Sequence, residues 1–293
     1  MRALVVGGTG FIGSWIVDQL IARGDAVTIL HRGRKSPDSL PKGAVSVINH
    51  DTLSTAAPFE AALRYGEPDA VIHVLALFEA DAQAAVAALT GRTGRVVVLS
   101  SGDVYRAYGR FTRFEPGPPE RTPLRANDSA LRTQLYPYRT PTTEPGSLLH
   151  DYDKIPIEQR FRDADNLQSV ILRLPKIYGI GGNADLSTVY DFAAHPRWRW
   201  THGYVENIAA GVVLAAMHPN SRGKTYNLGE AVTPTVGERL AQLPVRRNQS
   251  SEDHPYDFSQ DLDYDTEPMR SELGFAEPVA YEEGLRRTLT QRL

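Results

Sequence analysis

The chain has 293 residues, of which 41% are hydrophobic and 23% are charged, so it is long enough for one large α/β unit or two modest domains. Its formal net charge of −3 argues against non-specific binding to nucleic acid. The absence of cysteine excludes disulfides, thiolate zinc sites and a cysteine nucleophile. No apolar run approaches the roughly 20 residues of a membrane span, and the apolar start is typical of a strand rather than a signal peptide. We therefore expect a cytoplasmic protein without membrane association.

Short β-branched runs alternate with Ala-rich amphipathic stretches through the first half of the chain, a pattern typical of βαβ units around a buried parallel sheet. The predicted strands are 3–6, 26–30, 45–48, 70–74, 95–99 and 169–174. The predicted helices between them are 11–23, 55–65 and 80–89, because their apolar positions recur at helical spacing. Six such strands fit a doubly wound, Rossmann-type parallel sheet in an α/β protein.

The second half of the chain is less regular. Residues 106–146 have no periodicity and are rich in proline, so we predict an insertion loop without regular elements. A loop of this length indicates a lid or binding role, with a solvated insertion of no role as the alternative. Further predicted elements are helices at 204–217, 236–243 and 281–292 and a strand at 224–228. We therefore expect a first domain over 1–174 and a smaller mixed α/β lobe over 175–293, partly interleaved with it.

A glycine-rich turn follows the first predicted strand at once, in the order Gly7-Gly8-Thr9-Gly10-Phe11-Ile12-Gly13. Glycines at 7, 10 and 13 permit a tight turn, close approach of the backbone to a pyrophosphate, and close packing of helix on strand. A glycine trio alone is a weak signal, but this one lies at the first strand–helix junction. The sequence therefore predicts a dinucleotide-binding domain over 1–174, with Thr9, Phe11 and Ile12 beside the glycines at the cofactor.

The glycine spacing resembles that of the extended and atypical short-chain dehydrogenase/reductases, the NAD-dependent epimerase/dehydratase family. Further matches follow in the family's order and span nearly the whole chain, at 49–51, 71–76, 97–105, 173–179 and 203–209. The resemblance implies a nicotinamide dinucleotide cofactor, a small-molecule substrate such as a nucleotide sugar, and a homodimer as a candidate assembly.

The resemblance also implies cofactor contacts outside the glycine loop. It places Asp51 beside the adenine, Leu75 at the end of the fourth strand against the cofactor, and Pro175 and Ile177 at the nicotinamide pocket. From the residues alone, an aspartate after a strand is often a turn or helix cap, and a Leu-Pro pair after a strand is often a plain turn.

The residues after the second predicted strand bear on cofactor choice. An acidic side chain there would bind the ribose 2′-hydroxyl of NAD, but this chain has His31 and Arg32. Arg32 can pair with a 2′-phosphate in the geometry that a guanidinium favours. We therefore predict NADP(H) rather than NAD(H), with His31 and Arg32 at the cofactor. The alternative is that Arg32, Arg34 and Lys35 form a solvated loop cluster.

The catalytic residues depart from the family pattern. Family enzymes use a serine after the fifth strand, and a tyrosine and a lysine four residues apart on the next helix. The resemblance assigns Ser101 to the serine and Lys154, followed by Glu158, to the lysine, which also binds the nicotinamide ribose. Counting back four from Lys154 gives His150, so the usual proton donor is missing from its place.

Three interpretations of the missing tyrosine stay open. His150 can transfer protons directly, as imidazoles do near neutral pH. Alternatively, Pro156 starts the helix near residue 153 or 154, so that residues 150–152 are non-helical and Tyr152 enters the site; on a regular helix Tyr152 would face away from Lys154. In the third interpretation both are ordinary loop residues and hydride chemistry has been lost.

Two segments bear on the substrate. Residues 105–114 interleave arginines with aromatics, which suits a diphosphate and a stacked base, or arginines facing water over an aromatic anchor. Residues 196–200 alternate tryptophan with arginine, as in a strand packing the substrate lobe.

The sequence thus predicts an NADP(H)-dependent oxidoreductase or epimerase/dehydratase acting on a hydroxyl or carbonyl of a nucleotide sugar or polar metabolite. The alternatives are a redox-inert dinucleotide sensor, an RNA-associated relative, or non-redox catalysis on the same scaffold.

Overall fold

The computed structural model describes residues 1–32, 43, 46–49, 52–139, 143–145, 147–184, 186–246 and 254–290. The strands in these ranges are β1 (Arg2–Val6), β2 (Ala26–His31), β3 (Ser46–Asn49), β4 (Ala70–His73), β5 (Val96–Ser101), β6 (Ser169–Leu174), β7 (Lys176–Tyr178), β8 (His202–Tyr204) and β9 (Thr225–Asn227). The α-helices are α1 (Phe11–Ala22), α2 (Ala56–Leu63), α3 (Glu79–Leu89), α4 (Arg106–Phe111), α5 (Leu148–Asp151), α6 (Lys154–Arg162), α7 (Ser187–Asp191), α8 (Val205–Met217), α9 (Val236–Leu240), α10 (Glu267–Leu273) and α11 (Tyr281–Thr290).

The main sheet is parallel throughout, with strand order β3-β2-β1-β4-β5-β6-β9. Order reverses between β1 and β4, and in such sheets ligands bind at the carboxyl ends of the strands flanking this reversal. The predicted doubly wound α/β fold is therefore confirmed. The sheet has seven strands instead of six, because β9 from the C-terminal part pairs with β6.

Two apolar layers cover the sheet. One face packs on α1, α8 and α10, and the other on α2, α3 and α6. The central strands carry β-branched and other apolar residues on both faces, and the burial of these side chains shows that both faces are covered. Within the described ranges, no helix has the length and apolar composition of a membrane span.

Two local expectations were wrong, and one pair of strands was not predicted. The insertion contains the regular helix α4, because residues 106–111 precede its first proline and bury Tyr108 and Phe111 in an aromatic cluster. Residues 196–200 form no strand: Arg199 and Trp200 make only isolated bridges, and the Trp198 and Trp200 rings pack with centroids 5.7 Å apart. The short parallel pair β7 and β8 was not expected, because three-residue strands carry little pattern.

The insertion is attached to the main sheet by buried side chains. Arg173 on β6 donates from Nη1 to the Ala126 carbonyl at 2.8 Å, and Asn227 on β9 donates to the Leu124 carbonyl at 2.8 Å. Residues beyond 174 thus take part in the sheet and hold the insertion against it. The division into 1–174 and 175–293 remains a prediction.

Candidate functional site

The turn between β1 and α1 requires glycine at two positions. Gly7 has φ +92°, and a Cβ there would lie 2.5 Å from Leu75 Cγ. A Cβ at Gly13 would overlap the carbonyl oxygen of Gly7. The Gly7 amide donates to the Leu30 carbonyl at 2.7 Å, which ties the turn to β2. The loop is therefore held tightly between its neighbouring strands.

The start of α1 fits an anion such as a pyrophosphate. Gly10 is the N-cap, in extended conformation, and it makes no side-chain cap hydrogen bond. In the described first turn of α1 there is no acidic residue to repel an anion. A Cβ at Gly10 would meet only the Gly7 oxygen, at 3.4 Å, so the other side of this backbone is open. Unpaired first-turn amides and an open glycine face are the features a dinucleotide needs.

The remaining predicted cofactor residues surround this loop. Thr9 is nearly buried, Ile12 packs against the main core, and the Phe11 ring lies against Gly182. His31 ends β2 with its side chain buried, and this burial lowers its pKa. Arg32 follows directly and is partly buried.

Other predicted contacts lie further away or outside the described ranges. Pro175 joins β6 to β7, and Ile177 on β7 packs against the core that α1 shares. Asp51, Arg34 and Lys35 lie outside the described residues. The cofactor roles of all these residues remain predictions.

Tyr152 lies beside Asp103 and Ser101, just before helix α6. Helix α6 begins at Lys154, where Asp153 caps it by accepting from the Ile155 amide at 3.0 Å. Tyr152 precedes this cap in extended conformation, and its hydroxyl donates to Asp103 Oδ2 at 2.9 Å, beside the Ser101 side chain. The two-residue spacing to Lys154 is therefore no obstacle, because Tyr152 is not on the lysine's helix.

His150 occupies a different place. The expectation that residues 150–152 are all non-helical was wrong, since His150 lies in the short helix α5, which Ser147 caps. Its Nδ1 bonds the Asp151 carboxylate, and its Nε2 lies 3.1 Å from Arg139 Nη2. The structure thus brings Tyr152, rather than His150, to Ser101.

Lys154 is buried beside the tyrosine. Its Nζ donates to the Leu99 carbonyl at 3.1 Å and to the Ala76 carbonyl, and it lies 5.6 Å from the centre of the Tyr152 ring. Burial lowers the pKa of Lys154 to about 8. His73 is also buried, and its burial together with the nearby charge of Lys154 lowers its pKa to about 3. The ammonium therefore lies close to the Tyr152 ring without bonding its hydroxyl.

Asp103 belongs to this cluster, although the sequence reasoning did not single it out. Its Oδ1 is buried and has no hydrogen-bond partner among the described residues. Burial raises the pKa of Asp103, and burial together with Asp103 raises the pKa of Tyr152 well above its usual range. A buried carboxyl with an unused oxygen is a common mark of a functional site. The signal in the sequence that could have found Asp103 is its position as an acidic residue within the mainly apolar stretch between β5 and α4.

Arg132 was also missed, and it connects the insertion to the site. Its side chain is fully buried, and Nη2 donates to Asp153 Oδ1 at 2.9 Å. Its Nε donates to the carbonyl of Asp103. Arg132 therefore bridges the two segments that flank the Tyr152 hydroxyl. No local pattern marks it, because its partners are distant in sequence.

Comparisons with known proteins bear on the family and on the fold. The model of the NAD dependent epimerase/dehydratase family matches residues 3–93. The predicted resemblance to this family is confirmed over residues 3–93. No curated protein sequence matches the chain.

Solved structures share the fold over the full chain. UDP-glucose 4-epimerase of Thermus thermophilus, in complex with NAD, is 20% identical with a TM-score of 0.69, over 99% of this chain and 98% of that one. MoeE5, in complex with UDP-glucuronic acid and NAD, is 21% identical with a TM-score of 0.69, over 100% and 99%. UDP-glucose 4-epimerase of Thermotoga maritima, with UDP-glucose, is 17% identical with a TM-score of 0.66, over 99% and 98%. At these identities the likeness shows the fold.

Proposed function

We propose that the protein is an NADP(H)-dependent oxidoreductase or epimerase/dehydratase acting on a hydroxyl or carbonyl of a nucleotide sugar or another polar metabolite. The observation that carries this proposal is the meeting of Tyr152 with Ser101 and Asp103 beside Lys154, despite the altered spacing. The neighbouring structures support the substrate class, since they are complexes with NAD, UDP-glucose or UDP-glucuronic acid.

Each residue has a distinct role in this proposal. The cofactor, when bound, exchanges a hydride with the reacting carbon of the substrate. Ser101 orients the substrate oxygen, Tyr152 moves the proton at that oxygen, and Lys154 orients the nicotinamide ribose. The glycine loop at 7–13 holds the pyrophosphate through the open start of α1.

The electrostatics of Tyr152 favour its neutral form. Its hydroxyl donates to a carboxylate, and its pKa is raised by burial and by Asp103. A neutral phenol can protonate the oxygen of a carbonyl that is being reduced. The site is therefore better suited to proton donation than to abstraction by a standing phenolate.

The cofactor preference is tested by titrating NADPH and NADH calorimetrically into the protein. We expect tighter binding of NADPH, and a loss of about ten-fold or more for NADPH alone in Arg32→Ala, because a guanidinium–phosphate bond is charge-assisted. Arg92→Ala is the control, since Arg92 is 44% exposed and pairs only weakly with Glu67 at 4.0 Å. Equal affinities, or no effect of Arg32→Ala, would refute the NADP(H) assignment.

The reaction is tested by incubating the protein and each dinucleotide with UDP-glucose and UDP-glucuronic acid. Cofactor absorbance and sugar products are then followed over time. Redox change or epimerised product supports catalysis. Cofactor binding without turnover of these sugars, or of a wider set of polar carbonyls, would favour the redox-inert sensor instead.

A further inference from the structure

A cavity of about 500 Å³ opens beside Tyr152, a size that suits a small-molecule ligand. It lies between the start of α3, the C-terminal part of the insertion, α5 and the start of α6. Its wall combines apolar side chains with polar ones, including Arg139, His150 and Asp153. The proposed proton donor therefore borders a cavity whose polar wall comes mainly from the insertion and α5.

The hydrogen bonds in this wall fix the orientation of Arg139. A guanidinium can only donate, so His150 Nε2 must accept from Arg139 Nη2, 3.1 Å away. The Nδ1 of His150 then carries the hydrogen that it shares with the Asp151 carboxylate. The chain Asp151–His150–Arg139 thus holds the guanidinium from one side. Among the described residues, His150 is the one hydrogen-bond partner of the guanidinium, which has five N–H donors.

The charges in the wall leave Arg139 as a cation for a ligand. The acidic residues of the wall are matched with cationic or imidazole groups: Glu79 with Arg160 at 2.8 Å, Asp153 with Arg132 at 2.9 Å, and Asp151 with His150. Within the described residues, Arg139 forms no ion pair with a carboxylate, and its hydrogen bond goes to a ring nitrogen. A planar guanidinium with spare donors matches a carboxylate or phosphoryl group.

We propose that Arg139 binds an oxyanion of the substrate, a carboxylate or a phosphoryl group, and that His150 positions it. This inference rests on the proposed function and narrows it to substrates that carry such a group near the reacting carbon. A sugar nucleotide whose hexose is oxidised to an acid has this chemistry, because its carboxylate is attached to the reacting ring. His150, which the sequence offered as a proton donor, becomes a positioning residue for substrate binding.

The test uses two ligands that differ at one carbon. UDP-glucuronic acid has a carboxylate where UDP-glucose has a hydroxymethyl group. Each is titrated calorimetrically into protein saturated with NADPH, for the wild type, Arg139→Gln and the control Arg92→Gln. Arg92 is a suitable control because it is 44% exposed and neither it nor its partner Glu67 lines the cavity.

We expect the wild type to bind UDP-glucuronic acid about ten-fold or more tightly than UDP-glucose. Arg139→Gln should abolish this preference and leave UDP-glucose affinity within about two-fold, whereas Arg92→Gln should keep the preference. His150→Ala should reduce it without removing it. Competition by inorganic phosphate that depends on Arg139 would instead assign the group as phosphoryl.

Equal affinity of the wild type for both sugars, together with phosphate binding that does not depend on Arg139, would overturn the oxyanion site. The absence of binding by all three probes would overturn it as well. In either case NADPH uptake by the same preparation decides the cofactor part of the proposed function separately. Weaker NADPH binding in Arg139→Gln, with the sugar preference unchanged, would reassign Arg139 to the cofactor and contradict the inference.

Discussion

The two ends of the candidate site are built in different ways. The glycine loop takes its shape from seven consecutive residues and from backbone contacts with the strands beside it. The proposed proton-transfer end joins Ser101, Asp103, Arg132 and Tyr152 from separate segments. The glycine loop therefore tolerates little change in the spacing of its residues. The assembled end brings Tyr152 beside Ser101 although Tyr152 is only two residues before Lys154, because packing between distant segments sets the position of its hydroxyl.

The sharpest test of this contrast is Tyr152→Phe. Removing the hydroxyl should lower kcat about 10²- to 10⁴-fold, the usual contribution of a positioned proton donor, while NADPH affinity stays within about two-fold. Steady-state kinetics on a sugar substrate and cofactor titration measure the two effects. Tyr65→Phe is the control, because Tyr65 is 64% exposed. Full activity in Tyr152→Phe, with activity lost in His150→Ala, would return the proton-transfer role to the imidazole.

A smaller effect is expected from Arg132, which touches neither proposed ligand. Arg132→Leu removes its bonds to the Asp103 carbonyl and the Asp153 carboxylate, so the Tyr152 hydroxyl should lose its alignment. We expect kcat to fall about 10- to 100-fold, as a misplacement of about 1 Å can cause, with little change in KM. Arg132→Lys should recover part of the loss.

The split between kcat and KM separates positioning from general damage. A thermal melt checks that each Arg132 variant is folded. If NADPH affinity falls as much as kcat, the two ends of the site are coupled and the contrast between them is wrong.

At the cofactor end, two glycines give a matched pair. In Gly10→Ala the new methyl group meets only the Gly7 oxygen at 3.4 Å, so stability should change by about 1 kcal/mol or less. NADPH affinity should still fall about ten-fold, because the methyl group occupies the approach of the pyrophosphate. Gly13→Ala should instead destabilise the fold, because its Cβ overlaps the Gly7 carbonyl. Unchanged NADPH affinity in Gly10→Ala would place the phosphates elsewhere.

The same contrast explains how much the sequence could predict. The parallel sheet and the glycine loop follow from periodicity and spacing within short windows, and the structure reproduces them. The start of α6 was also predictable, because Pro156 is favoured in a first helical turn. These features depend on neighbouring residues, which one sequence displays directly.

The rest depends on contacts between distant segments. Arg132 lies 29 residues from Asp103 and 21 from Asp153, so no local pattern links them. Helix α4 was missed because the insertion was treated as one proline-rich segment, although its prolines begin only after this helix. The tryptophans at 198 and 200 alternate as in a strand, but an aromatic cluster holds them instead. In each case tertiary packing decided a feature that local propensity left open.

The smallest predicted effect concerns pH and Lys154. Its pKa is lowered to about 8 by burial, against the opposing influence of the charged groups that face it, Asp103, Asp81 and Glu158. As pH rises through about 8 the ammonium loses its proton, so the cation beside the Tyr152 ring, which we propose binds the nicotinamide ribose, disappears. Cofactor affinity should therefore be full below this pH and fall a few-fold above it.

Lys154→Arg supplies the comparison, because a guanidinium keeps its charge across this range. We expect this variant to bind NADPH more weakly at every pH, because the larger guanidinium fits the buried site poorly. Its affinity should not decline near pH 8. Calorimetric titrations from pH 6 to pH 10 measure both curves. A wild-type affinity that stays constant through this range would show that the charge of Lys154 does not contribute to cofactor binding. Of the two ends of the site, the glycine loop alone would then bind the cofactor.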